Sequence, residues 1–157
     1  GSDSVAPFIN YCGKGKGVYV LVRTSNPGAN DLQQLRTETG RKLFMETAAN
    51  VIKWHKPGVG AVVGATNTAE LEKIAKFFAA AQKKIPLLIP GVGTQGGSAR
   101  EVAAVLRKNG SDIRIHRINS SSGISYAYER YDSDYVAAAE KAVKELNKEI
   151  GDLSGYK

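Results

Sequence analysis

Residues 86–110 read PLLIPGVGTQGGSAREVAAVLRKNG, and this one stretch holds a complete structural unit. Residues 86–90 (PLLIP) form a short apolar run of strand length, with a proline at each end. Four glycines follow within residues 91–97, so the backbone can turn tightly there and expose its N–H groups. Ser98-Ala99-Arg100-Glu101 then supplies a polar residue with a glutamate three positions later, the signature of a capped helix start. Val102, Val105 and Leu106 fall on one face of the helix, and Gly110 stops it.

The same order recurs on both sides. Residues 17–23 (GVYVLVR) are a β-branched and aromatic run that ends in a Thr-Ser-Asn-Pro-Gly turn. The helix over 41–55 brings Leu43, Phe44, Ala48, Val51 and Ile52 to one face. Residues 59–64 (VGAVVG) form the next strand, and Asn67-Thr68-Ala69-Glu70 opens a helix with Leu71, Ile74, Ala75 and Phe78 inward. Residues 113–118 alternate isoleucine with Arg114, His116 and Arg117 and read as the fourth strand. The last helix spans about 133–150 with Val136, Ala139, Val143, Leu146 and Ile150 in phase. A further helix at 3–11 would turn Val5, Phe8 and Ile9 inward. Four strand–helix units at about 30 residues each demand parallel strands joined by right-handed crossovers, as in an α/β barrel or a doubly wound sheet.

The 157 residues exclude a complete eight-fold barrel, which needs about 250. No linker and no internal repeat divides the chain, so residues 1–157 are expected to be a single, partial domain. No apolar run approaches the roughly 20 residues of a membrane span, and no secretory leader is evident. Cys12 is the only cysteine, and with His55 and His116 it makes no zinc set. A reducing, cytoplasmic setting is expected, with no metal and no cofactor. Twenty-two Lys and Arg against 15 Asp and Glu give a net charge of +7, which suits an anionic partner. The cations are scattered on helix faces and not gathered into a stripe with aromatics, which argues against nucleic acid.

Ligands of parallel α/β folds sit at the C-terminal ends of the strands. Here those ends are small and polar: residues 24–29 (TSNPGA), 64–67 (GATN), 90–97 (PGVGTQGG) and 119–123 (NSSSG). The 90–97 loop is neither of the common nucleotide signatures, so by itself it reads equally as a generic βα turn or a phosphate loop. Two such loops after the last two strands occupy the usual phosphate position of α/β barrels. Residues 13–17 (GKGKG) precede a strand and read as a flexible connection.

These segments carry a resemblance. TSNPGA at 24–29, GAVVGAT at 60–66, IPGVGTQGG at 89–97 and NSS at 119–121 followed by Gly123-Ile124 resemble orotidine 5'-phosphate decarboxylases, in the bacterial-type branch with the TSNPGA signature. The likeness runs in order from Asp3 through the last helix. That family is an α/β barrel which converts orotidine 5'-phosphate to UMP without cofactor or metal. The resemblance implies that these are strands five to eight, the C-terminal half of a TIM barrel. It implies that Ser25 reads the pyrimidine amide edge, Pro90 lines the base pocket, Gln95 bridges phosphate and pyrimidine, and the Ser121 and Ser122 amides cradle the phosphate. Asn26, Gly93 and Gly123 complete the expected substrate-binding set.

The sequence departs from the family pattern twice. The family usually has arginine where Ser122 stands, so a nearby cation such as Arg100, Arg117 or Arg130 must compensate or phosphate affinity falls. The family also uses an Asp-x-Lys-x-x-Asp array, which destabilises the substrate carboxylate and protonates the vinyl carbanion, and no such array occurs in these residues. No catalytic residue is therefore expected in this chain, and the missing N-terminal half barrel is expected as a partner, with a homodimer as the other way to cover its open edges. Two other readings remain open: a half barrel that binds a nucleotide without turnover, and another phosphosugar lyase or isomerase on the same barrel. Structural roles are expected for Cys12 as an apolar filler, for His116 as a solvated or helix-packed side chain, for Trp54 and His55 at a helix end, and for Tyr126, Tyr128 and Tyr131 as packing groups.

Overall fold

The computed structural model describes residues 1–93, 95–131 and 134–151. In chain order the elements are α1 (Ser2–Cys12), β1 (Val18–Arg23), α2 (Asn30–Gln33), α3 (Leu43–Lys53), β2 (Val59–Val63), α4 (Thr68–Ala80) and β3 (Leu87–Ile89). They continue with α5 (Ala99–Lys108), β4 (Arg117–Ile118), α6 (Ser121–Ser125), α7 (Tyr128–Tyr131) and α8 (Tyr135–Ile150). Short 3₁₀ turns lie at Pro27–Ala29 and Ile113–Ile115.

All neighbouring strands pair in parallel, and their order in space is the order in the chain, β1-β2-β3-β4. A doubly wound sheet would reverse direction at a switch point. The continuous order decides between the two architectures for the barrel wall. Polar caps start the main crossover helices: Asn67 Oδ1 accepts from Glu70 N at 3.0 Å, and Ser98 Oγ accepts from Glu101 N at 3.3 Å. Asp134 Oδ1 does the same for α8, accepting from Val136 N at 2.9 Å. The expected start of that helix at Ser133 lies outside the described residues.

One face of the sheet is covered. Phe44, Ala48 and Val51 of α3, Leu71, Ile74 and Phe78 of α4, and Val102 and Leu106 of α5 are buried against Val59, Ala61, Val63, Leu87 and Ile89. The other face is open. Register places Leu21, Val62, Leu88 and Arg117 in one row across it, with Tyr19 beside Gly60 in the next. Leu21 is 57% exposed and Tyr19 40%, a lining for a barrel interior that nothing among the described residues fills.

Four sequence expectations are corrected. Residues 113–115 turn instead of extending, because Asp112 Oδ1 accepts from Arg114 N at 3.1 Å and its carboxylate also pairs with the Arg114 guanidinium. The fourth strand shrinks to Arg117–Ile118. His116 does not face solvent: it is buried, its Nδ1 accepts from Leu87 N at 3.0 Å, and its Nε2 meets Ser111 Oγ at 2.7 Å. The imidazole thus satisfies the backbone donor where β4 is too short to do so, and burial pushes its pKa down to about 4. In α1, Ile9 and Cys12 are buried but Phe8 is exposed, since the helix touches the core along a narrow edge only. In α8 the alanines Ala138 and Ala142 take the buried face with Leu146 and Ile150 against the core, and Val136 and Val143 point outward. Small residues let α8 approach α6 closely, a need that the apolar period does not reveal.

Candidate functional site

Backbone hydrogen bonds continue beyond the strands and hold the strand-end loops side by side. Gly64 N donates to Arg23 O at 2.8 Å, Ala65 N to Pro90 O at 2.8 Å, and Asn119 N to Ile89 O at 3.0 Å. Ser25 is wedged where the first three loops meet. Its hydroxyl donates to Pro90 O at 3.3 Å, and its own carbonyl accepts from Thr66 Oγ1 at 3.3 Å. A Cβ added at Gly64 would lie 2.2 Å from Ser25 Oγ and 2.8 Å from Ser25 N. One added at Gly91, whose φ is +94°, would lie 2.6 Å from Ser25 Oγ and 2.9 Å from Gln95 Oε1. Both positions admit glycine alone, and the closeness gathers Ser25, Pro90 and Gln95 into one group. The long Ser25–Pro90 bond leaves the hydroxyl available to a better-placed acceptor.

A second group forms between the last two loops. Ser120, buried, donates from Oγ to Val92 O at 3.0 Å and lies against both Gly93 and Gly123. Gly93, Gly97, Ser98, Ser120, Gly123 and Arg130 border a cavity of about 360 Å³. Ser122, Gly123, Tyr126 and Arg130 border another of about 460 Å³. Asn26 and Ser121 stand apart from these groups: Asn26 is exposed beside Gly28, and Ser121 is exposed with its hydroxyl accepting from Asn119 Nδ2 at 3.0 Å. Thr94 of the glycine-rich loop lies outside the described residues.

Of the three cations considered beside Ser122, Arg130 lines both cavities. Its guanidinium meets Tyr131 Oη and, at 3.4 Å, Glu145 Oε2. Arg117 is held at the start of β4 by the Arg114 and His116 carbonyls at 3.2 and 3.0 Å, and Arg100 is exposed on the first turn of α5.

Beneath the Ser25 turn lies a polar cluster that the sequence reading did not find. Arg23, buried at the end of β1, donates from Nε to Glu70 Oε2 at 2.5 Å, from NH1 to Gln33 Oε1 at 3.1 Å and from NH2 to Asn30 Oδ1 at 2.7 Å. Gln33 in turn accepts from Thr24 N at 3.0 Å and donates to Thr24 Oγ1 at 3.2 Å. The Glu70 carboxylate therefore turns inward to Arg23 and Gln34 and not back to its helix cap, which corrects its expected capping role. The available signal was an arginine ending an otherwise apolar strand.

A model of the orotidine 5'-phosphate decarboxylase / HUMPS family matches residues 1–145. The chain belongs to that family. Curated relatives named orotidine 5'-phosphate decarboxylase include one from Halorubrum lacusprofundi, 37% identical over 96% of this chain and 55% of its own length. Another, from Paracidovorax citrulli, is 42% identical over 92% of this chain and 50% of its own length. Among solved structures, the Leishmania donovani OMP decarboxylase superposes with a TM-score of 0.71 at 32% identity, covering 97% of this chain and 54% of its own. The Leishmania donovani UMP synthase gives 0.72 at 36% identity, covering 96% and 31%. The chain spans about half the length of the decarboxylase relatives that it matches. Its four-stranded wall is accordingly half of a decarboxylase-family barrel, with this chain's small, polar strand ends along one rim.

Among the described residues, no group of three His, Cys, Asp or Glu is placed to hold a metal ion, and no helix is long and apolar enough to cross a membrane.

Proposed function

We propose that this chain is the pyrimidine- and phosphate-binding half of an orotidine 5'-phosphate decarboxylase, serving UMP formation in pyrimidine biosynthesis. The observation that carries the reading is the Ser25 wedge: the TSNPGA turn, Pro90 and Gln95 converge through two glycines that admit no side chain. In this reading the Ser25 hydroxyl and backbone take the N–H and C=O of the pyrimidine edge, Pro90 packs beside the ring, and Gln95 spans toward the phosphate. The amides of Ser121 and Ser122, with Gly93 and Gly123 beside them, surround the phosphate. Arg130 supplies the cation that Ser122 cannot, since it borders the same cavities.

The carboxylate-destabilising and proton-donating Asp-x-Lys-x-x-Asp array is absent from the sequence, so this chain by itself binds and does not turn over. Its partner is the N-terminal half barrel, which would fill the open face around Leu21 and Tyr19 and pair with the edges of β1 and β4. The intact assembly is a homodimer of the cytoplasm, a reducing compartment that suits the lone buried thiol of Cys12.

The test is calorimetric titration of UMP into this chain, followed by a decarboxylation assay with the N-terminal half of the Paracidovorax citrulli relative added as a separate polypeptide. Binding alone, with turnover only in the mixture, is expected. Binding without turnover in the mixture would favour a nucleotide-binding module, and an absence of both would refute the proposal.

A further inference from the structure

The proposed pyrimidine contact depends on where the turn at residues 24–28 sits, yet nothing about a five-residue polar turn fixes its height above the sheet. Ser25 is held on one side by Pro90 O and Thr66. On the other side the restraint is indirect and runs through buried polar groups. Resting on the reading of Ser25 above, we infer that Gln33 and Arg23 form a positioning device for the pyrimidine-reading turn, with Gln33 as the clamp and Arg23 as the group that fixes its orientation.

The direction of every bond follows from donor and acceptor chemistry. Arginine has donors only, so the atom of Gln33 facing Arg23 NH1 must be its carbonyl oxygen. The same oxygen accepts from the backbone N–H of Thr24. The amide nitrogen is thereby left toward Thr24 Oγ1, to which it donates. Thr24 is thus gripped at backbone and side chain by one amide whose flip is forbidden, and the next residue is Ser25. Arg23 is itself immobilised: Glu70 on α4 and Asn30 on α2 take its remaining fork, and Gln34 and Lys42 continue the chain of bonds from Glu70 to the surface. The device joins β1, α2 and the first turn of α4, three elements whose mutual position sets the turn. Neutral substitutes could fill the space, but would not dictate which way Gln33 points.

The test separates positioning from folding by using two ligands on the full 157-residue chain. UMP carries the base; ribose 5-phosphate has the sugar and phosphate without it. Gln33→Ala and Asn30→Ala leave the Arg23–Glu70 pair intact and are expected to fold, while Arg23→Lys keeps the charge but loses the fork. In Gln33→Ala and Arg23→Lys, UMP affinity is expected to fall about tenfold, the loss of one well-placed hydrogen bond, with ribose 5-phosphate affinity unchanged. Gln33→Glu, which keeps the oxygen toward Arg23, should recover part of the loss. Parallel loss of both ligands would show general loosening and overturn the inference, as would unchanged UMP binding in Gln33→Ala. A parent chain that binds neither ligand overturns the proposed function and this inference together, whereas a binding parent with indifferent variants overturns this inference alone.

Discussion

Replacing Gly64 by alanine probes the site at its tightest point. The added methyl would lie 2.2 Å from Ser25 Oγ, 2.8 Å from Ser25 N and 3.1 Å from Ser25 Cα, so a rotamer change of the serine cannot relieve it and the turn backbone must move. Overpacking of this kind costs roughly 1–3 kcal/mol, and at this chain length each kcal/mol lowers the melting temperature by about 2–4 °C. A drop of roughly 2–12 °C is expected by circular dichroism. UMP affinity should fall further than stability does, because the displaced atoms are the ones proposed to read the base. Gly96→Ala is the matched control: its φ of +87° strains an alanine, but nothing lies within 4 Å of the new methyl, so it should cost stability and spare UMP binding. Adding Ser25→Ala to Gly64→Ala removes the nearest clash and should restore part of the stability with none of the affinity, a non-additive cycle. A Gly64→Ala chain that melts and binds like the parent would refute the placement of Ser25 against β2.

Further outcomes follow from other parts of the molecule. Arg130→Ala should weaken UMP binding by roughly 1.5–3 kcal/mol, the range for hydrogen bonds to charged groups, and Ser122→Arg should make that loss silent; calorimetry on the four combinations checks both. His116 is held neutral, with its folded pKa about 4 against an ordinary 6.5, so the unfolded chain binds the extra proton between those values. Stability is then unaffected above about pH 6.5 and declines toward pH 4 by on the order of 3 kcal/mol, and His116→Asn should flatten the slope of urea midpoint against pH in that window. Leu21→Glu places charge on the open sheet face without entering the covered core, so it should reduce self-association by sedimentation while the far-ultraviolet spectrum is kept; a parent that is monomeric at micromolar concentration would contradict an unfilled interior.

Much of the fold was legible because strands and crossover helices carry their period locally. Residues 86–110 predict a strand, a glycine turn and a capped helix from neighbours alone, and the strand and the helix stand within a residue or two of the expected limits. The errors fall where a tertiary partner overrides the local pattern. The isoleucine alternation at 113–118 has the strand period, but Asp112 offers its neighbours a turn, and His116 exchanges solvent for the Leu87 amide, 29 residues away. In α8 Leu146 and Ile150 meet the core as expected, but nearer the start of the helix the approach of α6 rewards Ala138 and Ala142 over Val136 and Val143.

The site divides in the same way. Ser25, Pro90 and Gln95 enter the proposed site through the family resemblance of the strand-end motifs, and glycines at 64 and 91 are visible as residues that spare space. What no motif displays is the pairing of Arg23 with Glu70, 47 positions apart. Read singly, the arginine is a strand end and the glutamate a helix cap, and each reading is chemically complete. Only the sheet order, which sets β1 beside β2 and so the end of β1 beside the start of α4, brings the two charges together out of water. A buried ion pair contributes little net stability against an apolar substitute, so its presence under the Ser25 turn asks for another reason. The directional constraint on Gln33 supplies one, because an apolar filler would pack as well and leave the clamp free to flip.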